Sequence, residues 1–142
     1  MNVEQILDVL RALLADRPVE VYEIPIGETV VVVPPDSVHP AVRALIDQFS
    51  LTHLSTITGH DTGQEIELLY HFWDGQGLTL RTQLPRDHAV IHTLIDLIPG
   101  AAFYEREVTE MLDVVFEWHP MTDRLILPDD WHGDPPLRKG DG

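Results

Sequence analysis

The first fifteen residues carry apolar side chains at the spacing of one helix face. Ile6, Leu7 and Leu10 recur three or four positions apart, and charged residues occupy the opposite side. This period places the apolar side chains where they can pack together on a core. The pattern predicts a helix from about residue 3 to 15, which ends before Pro18 because proline disfavours helical backbone in the preceding residue.

The next stretch, "VEVYEIPIGETVVVVPP", changes to the alternation and β-branched composition of strands. It predicts two strands, at about residues 19–25 and 28–34, joined near Gly27. After them, Asp36 or Ser37 can cap a short helix with a proline near its first turn.

Three further strands follow from "LTHLSTITGH", "EIELLYHFW" and "LTLRTQLP". Glycine-containing turns separate them, and short turns predict antiparallel pairing. The segments "RDHAVIHTLIDLIPG" at 86–100 and "AAFYEREVTEMLDVVF" at 101–116 both have helical spacing, so we expect a helix in each.

This order of elements predicts an α+β fold over residues 1–118. We expect a two-layer domain with a mixed, mainly antiparallel sheet of about five strands and helices on one face. Residues 119–142 fall outside the pattern, because four prolines break a segment that still carries Trp131 and several leucines. We interpret them as an extended C-terminal tail, which could fold over its own sheet or bind a partner.

Composition and charge narrow the functions that the chain could have. The formal net charge is −15, from 24 acidic and 9 basic residues, which argues against nucleic acid and anionic lipid as partners. The sequence has no cysteine, so it cannot supply a thiolate ligand to an iron–sulfur cluster or a disulfide. No stretch approaches the roughly 20 apolar residues of a membrane span, so from composition alone we expect a soluble cytoplasmic chain.

Two groups of residues could carry chemistry. His88 and His92 would share a helix face and could ligate a metal, which keeps open a small His-dependent metalloenzyme, although the pair lacks the glutamate of a zinc-protease motif. In "YEREVTEM", Glu105, Arg106 and Glu107 could form a solvated helix face, paired catalytic carboxylates or a site that contacts a partner.

Four blocks of the C-terminal half favour one of these alternatives, a site that contacts a partner. "YEREV" is followed by "HP" at His119, then by "RLILPDDW" and "PLRK". In this order and at this spacing, the blocks resemble the family of the C subunit of respiratory complex I, the NADH dehydrogenase 30 kDa-type subunit. The resemblance includes related subunits of membrane-bound nickel–iron hydrogenases and other complex-I-like assemblies, and it is less specific from Leu51 to Leu84.

The sequence departs from the family pattern at three places. The family usually has Phe-Gly after the methionine of its ERE helix, where this chain has Leu112 and Asp113. A glycine usually precedes the His-Pro pair, where this chain has Trp118. The family's "LRKD" is "LRKG" here, with Asp141 one place later.

The resemblance implies a non-catalytic hydrophilic subunit of the peripheral arm of an NADH:quinone oxidoreductase. Its partners would be the large quinone-site subunit and the iron–sulfur small subunit, on the cytoplasmic face of the cell membrane. It would carry no cofactor, and iron–sulfur clusters with flavin and quinone, or nickel and iron, would lie on partner subunits. The alternative is the equivalent subunit of a membrane-bound group 4 nickel–iron hydrogenase, or of a ferredoxin- or F(420)-linked oxidoreductase.

The resemblance also favours docking as the role of residues 119–142. We expect the partner-docking residues to be charged or aromatic, in the ERE segment and in the tail. They are Glu105, Arg106, Glu107, Arg124, Asp129, Asp130, Trp131, Arg138 and Lys139.

Overall fold

Three α-helices and two sheets form the part of the chain that the structure describes. It is a computed structural model that describes residues 2–15, 17, 20–24 and 28–117. In chain order the elements are α1 (Val3–Leu13), β1 (Glu20–Ile24), β2 (Glu28–Val32), a 3-10 helix (Pro35–Ser37), α2 (Val38–Phe49), β3 (Leu54–Asp61), β4 (Glu65–Trp73), β5 (Gly77–Pro85), β6 (Val90–His92), α3 (Ala101–Leu112) and β7 (Val115–Glu117). The α+β class is confirmed.

The larger sheet has five strands in the order β1-β2-β5-β4-β3. The pairs β1–β2, β3–β4 and β4–β5 are antiparallel, as the short turns predicted for the last two, and β2 pairs with β5 in parallel. A parallel pair needs a long connection, and here α2, β3 and β4 lie between the two strands in sequence. The mixed, mainly antiparallel sheet of five strands is therefore confirmed.

One face of this sheet packs against the helices. Along β4 every second side chain is buried, from Ile66 to Phe72, which is the two-residue period of a strand with one face on a core. Apolar residues of α1, α2 and α3 belong to the same buried cluster as these strand residues. Each fully buried leucine or isoleucine contributes about 1.5–3 kcal/mol, so this layer accounts for much of the folding free energy.

The opposite face of the sheet is polar and partly exposed. The Arg81 guanidinium donates to the Tyr22 hydroxyl at 2.8 Å and to a Glu67 carboxylate oxygen at 2.7 Å. On the same face, His71 Nδ1 lies 3.0 Å from the Thr79 hydroxyl. These contacts join β1, β4 and β5 through side chains.

The helix predicted over residues 86–100 is wrong. The segment forms turns and the short strand β6, which pairs in parallel with β7 so that Ile91 lies opposite Phe116. The spacing of Ile91, Leu94 and Ile98 fits a helix face, and all three are indeed buried. A partner strand far along the chain determines their backbone conformation, and periodicity within one segment cannot reveal such a partner.

The helix predicted over residues 101–116 is correct only as far as Leu112. Asp113 follows in the left-handed conformation, with φ 58° and ψ 37°, and its N–H donates to the Thr109 carbonyl at 2.9 Å. A left-handed residue is a common way for a helix to end. The remaining residues include the strand β7, whose Val115 and Phe116 are of the types that strands favour.

Candidate functional site

Glu105, the first acidic residue of the "YEREV" block, lies inside the domain. It is fully buried on α3, and its two carboxylate oxygens accept hydrogen bonds from different donors. The Thr93 hydroxyl donates to Oε1 at 2.5 Å, and the Leu94 backbone N–H donates to Oε2 at 2.7 Å. We expected Glu105 on a docking surface. The structure contradicts this expectation, because the carboxylate points inward and fixes the segment after β6.

Burial changes the protonation of this carboxylate. Removal from water raises the pKa of Glu105 to about 7, although the hydrogen bonds from Leu94 and Thr93 oppose the rise. Burial, and secondarily the charge of Glu105, also raises the pKa of the fully buried Tyr70 hydroxyl. Glu105 therefore titrates near neutral pH within the folded domain.

Arg106 and Glu107, the other two predicted docking residues of α3, are partly exposed. Near them Phe103 has 52% of its surface exposed and meets the Tyr104 ring edge-on, with centroids 5.9 Å apart. An exposed phenylalanine on a helix is an apolar contact point that a partner can cover.

A groove of about 390 Å³ lies between α3 and the edge strand β3. Its lining is mainly apolar, and Gly59 lies where the helix comes closest to the strand. A Cβ at Gly59 would overlap the Leu112 Cδ1 methyl group, so any larger residue there would force the buried Leu112 side chain to shift. The lining residues are Ile57, Thr58, Gly59, Glu107, Val108, Met111 and Leu112.

The other six predicted docking residues lie outside the described residues. They belong to the segment 119–142, for which the domain boundary and the docking role remain predictions. These six are Arg124, Asp129, Asp130, Trp131, Arg138 and Lys139.

The structure contains a cluster of two histidines and one aspartate that was not predicted from the sequence. The pairing expected for His88 and His92 required a helix, and the structure has a strand that ends at His92 with His88 exposed in the preceding turn. His92 instead lies beside His39, at the start of α2, with ring centroids 4.1 Å apart. His39 Nε2 lies 2.7 Å from Asp96 Oδ2. His39 is distant in sequence from His92 and Asp96, and no local spacing relates it to them.

The electrostatics of this cluster follow from its geometry. Asp96 is about half exposed, and His39 has a side-chain exposure of 19%. Partial burial would raise the pKa of Asp96, but the hydrogen bond from His39 and the charges of both histidines lower it overall. One ligating atom from each of the three side chains lies within 4.8 Å of the others.

A family profile matches most of the chain. Residues 31–141 match the profile described as the 30 kDa subunit of respiratory-chain NADH dehydrogenase. The chain belongs to this family. The resemblance that the four C-terminal blocks indicated is thereby confirmed, and so is the assignment to an oxidoreductase complex.

Relatives of this family come from more than one kind of complex. The chain is 34% identical over 121 residues to the C subunit of NADH-quinone oxidoreductase from Roseiflexus castenholzii, covering 80% of this chain and 69% of that protein. It is 38% identical over 92 residues to the C subunit of F(420)H(2) dehydrogenase from Methanosarcina mazei, covering 61% and 58%. This chain is thus similar to the C subunits of two differently named enzyme complexes.

Two solved structures share the fold. A trypsin-resistant fragment of Nqo5 has a TM-score of 0.72 and 25% identity, covering 86% of this chain and all of that one. A chain of the membrane-bound sulfane sulfur reductase, an archaeal respiratory membrane complex, has a TM-score of 0.73 and 26% identity, covering 94% and 84%. Among the helices of the described residues, none has both the length and the apolar character needed to cross a bilayer.

Proposed function

We propose that this chain is a structural subunit in the peripheral arm of an NADH:quinone oxidoreductase on the cytoplasmic face of the membrane. It would pack against the large quinone-site subunit and the iron–sulfur small subunit and keep their interface rigid. It would contribute no reacting group. Electron transfer depends on fixed distances and orientations, so the loss of such a scaffold can abolish activity without removing a redox centre.

The observation that carries this proposal is the variety of complexes among the relatives. The names of these complexes refer to NADH and quinone, to F(420)H(2), and to sulfane sulfur. A subunit type that occurs with such different reactants is best explained by a task that they share. Holding the common electron-transfer subunits together is such a task, whereas recognising one reactant is not.

The composition of the chain supports a role without clusters of its own. The full sequence has no cysteine, and thiolates are the usual ligands of iron–sulfur clusters. We therefore assign the clusters, together with flavin and quinone or nickel and iron, to partner subunits. The strongly acidic composition favours partners that present basic surfaces.

Two surfaces are suited to docking. One is the exposed side of α3, with Phe103, Arg106 and Glu107. The other is the tail 119–142, which contains three of the nine basic residues, Trp131 and four prolines. The Nqo5 relative is described as a trypsin-resistant fragment, so a domain of this fold can persist as a unit. That precedent supports a self-folding domain over 1–118 with a separate tail.

The experiment is a pull-down of the tagged chain from its own membranes in mild detergent, followed by mass spectrometry. Co-purification of NADH- and flavin-binding subunits with a quinone-site subunit would support the proposal. Recovery of the chain alone, in the soluble fraction, would contradict it.

A truncation tests the tail in the same assay. Deletion of residues 121–142 should release the chain from the complex while its circular dichroism remains that of a folded α+β domain. Arg43→Ala is the matched control for loss of positive charge, because Arg43 is highly exposed on α2. Full-yield co-purification of the truncated chain would show that docking does not need the tail.

The second candidate is the equivalent subunit of a hydrogenase-type or F(420)-linked complex. The similarity to the C subunit of F(420)H(2) dehydrogenase favours its F(420)-linked form. In the pull-down, the absence of an NADH-binding module would select this candidate over the first, and a large subunit with nickel-binding cysteines would identify its hydrogenase form.

A further inference from the structure

Three side chains with metal-ligating atoms converge from separate parts of the fold. His39 lies in the first turn of α2, His92 is the last residue of β6, and Asp96 lies in the turn that follows. His39 Nε2 is 2.7 Å from Asp96 Oδ2, and the two imidazole rings are 4.1 Å apart at an interplanar angle of 52°. This site lies outside the predicted docking residues, and nothing in the proposed scaffold role requires it.

The hydrogen bonding of His92 leaves a nitrogen free to bind a cation. Nδ1 lies 2.5 Å from the Thr93 carbonyl oxygen. A carbonyl can only accept, so Nδ1 carries the proton in this contact, and the neutral ring keeps its lone pair on Nε2. Metal-bound histidines usually donate their second ring nitrogen to a carbonyl or carboxylate in this way.

Hydrogen bonds to neighbouring residues fix the segment that carries His92 and Asp96. Glu105 accepts hydrogen bonds from the Thr93 hydroxyl and the Leu94 N–H, and the Ile95 N–H donates to the Thr93 hydroxyl oxygen at 3.1 Å. These bonds fix the backbone between His92 and Asp96. A ligand set held by a supporting layer of this kind loses little freedom when an ion binds.

We propose that His39, His92 and Asp96 bind one divalent transition-metal ion of the zinc type. Two imidazoles and one carboxylate, with water completing a tetrahedron, form a common zinc ligand set. Zinc–ligand distances of about 2.0–2.2 Å place neighbouring ligand atoms roughly 3.3 Å apart. The ion would replace the proton shared by His39 and Asp96, and the distance between their ligating atoms would increase by about half an ångström. The ligating atoms that are now farthest apart, at up to 4.8 Å, would move closer together.

The bound ion would cross-link the start of α2 to the turn after β6. A hydrogen bond between His39 and Asp96 makes a weaker link and does not account for the neighbouring His92 ring. The half-exposed Asp96 gives the ion access from solvent, and the net charge of −15 attracts cations to the chain. The role is structural, since the ion joins two elements of the domain.

The test is a titration of the untagged full-length chain, freed of metal by a chelator, with zinc chloride in a calorimeter. We expect one zinc ion per chain and a higher melting temperature in its presence. His39→Gln, His92→Gln and Asp96→Asn should each weaken binding by at least about 100-fold, since even second-layer changes cost about 10–100-fold. His88→Gln, at an exposed histidine outside the cluster, should leave the affinity within about threefold.

Two results would overturn the proposal. One is an affinity that falls in His88→Gln as much as in the three ligand variants, which would indicate scattered binding by surface histidines. The other is zinc binding that survives all three ligand changes. Asp96→Asn protects the test against misfolding, because an asparagine oxygen at this exposed site can still accept the hydrogen bond from His39 while the charge is lost. In the same variants, loss of the visible absorption of bound cobalt(II) would report loss of direct coordination.

Discussion

Helix α3 is attached to the rest of the domain by different forces at its two ends. In its first half, the buried carboxylate of Glu105 accepts hydrogen bonds from Thr93 and Leu94. At its last turn, Leu112 is buried against Gly59 of β3, and Asp113 ends the helix in a left-handed conformation. The first attachment depends on the protonation of a buried group, and the second depends on packing and backbone conformation.

The two ends of α3, one hydrogen-bonded and one held by packing, show how an interface helix can be positioned. Buried hydrogen bonds favour one arrangement, because a shift leaves a donor or acceptor unsatisfied at a cost of about 1–3 kcal/mol. Apolar packing contributes stability but fixes orientation less strictly. The exposed side of α3, which we propose to contact a partner, is thus oriented mainly by its polar attachment.

The largest expected effect comes from the titration of Glu105. The pKa of Glu105 is about 7 in the folded chain, and the ordinary value for a glutamate, which applies to the unfolded chain, is 4.5. Between these two pH values the folded state holds a proton that the unfolded chain has released. Stability therefore falls as the pH rises through this window, by about 3 kcal/mol in total, and is unaffected by this group below pH 4.5. Urea unfolding at pH 5, 6, 7 and 8 should show the loss in the wild type.

Glu105→Gln isolates this contribution. The amide cannot ionise, its oxygen can accept from Leu94, and its NH2 group can donate to the Thr93 hydroxyl oxygen. The difference in unfolding free energy between wild type and variant should therefore change by about 2.5 kcal/mol between pH 5 and 8, because part of the titration lies below pH 5. Glu107→Gln, at a partly exposed position on the same helix, is the control and should show no such change. Parallel pH curves for wild type and Glu105→Gln would refute the role of this carboxylate.

The packing at the other end of the helix should respond to volume and be insensitive to pH. Gly59→Ala places a methyl group against the buried Leu112 side chain, and we expect a loss of about 2 kcal/mol in the free energy of unfolding. The loss should be the same at pH 5 and pH 8, which distinguishes this end from the Glu105 end.

Gly100→Ala is the matched control for this substitution. A Cβ at Gly100 would have no atom within 4 Å, and its backbone has φ −63°, which alanine adopts without strain. We expect that variant to be neutral or stabilised by up to about 1 kcal/mol. If Gly59→Ala proves equally harmless, the contact with Leu112 does not limit the approach of α3.

Most of the fold could be predicted because its signals are local. The apolar period of α1 and the alternation along β4 are each contained within one element, and a glycine turn separates each antiparallel pair among β3, β4 and β5. The pairing of β6 with β7 has no local signal, and the spacing of Ile91 and Leu94 imitates a helix. That coincidence produced the wrong helix over 86–100.

The candidate sites were less predictable for a related reason. A glutamate beside an arginine on a helix is expected at the surface, because acidic side chains are seldom fully buried. Only the fold shows that Thr93 and Leu94 face Glu105 with two donors. Similarly, His92 was paired with His88 by helical spacing, whereas the strand brings it beside His39. Contacts between residues distant in sequence determine both sites.

The smallest expected effect concerns the residue that ends α3. Asp113 has φ 58°, a conformation that costs a residue with a Cβ about 1 kcal/mol or more, although aspartate tolerates it better than most. Glycine has no Cβ and adopts this conformation freely, so Asp113→Gly should raise the free energy of unfolding by about 0.5–1 kcal/mol, net of the greater freedom of glycine in the unfolded chain. Asp113→Ala should lower it by a similar amount, because alanine keeps the Cβ and loses the side-chain oxygen. Urea unfolding of both variants checks the sign. A loss of stability in the glycine variant would mean that the Asp113 side chain, and not the backbone conformation alone, secures this end of the helix.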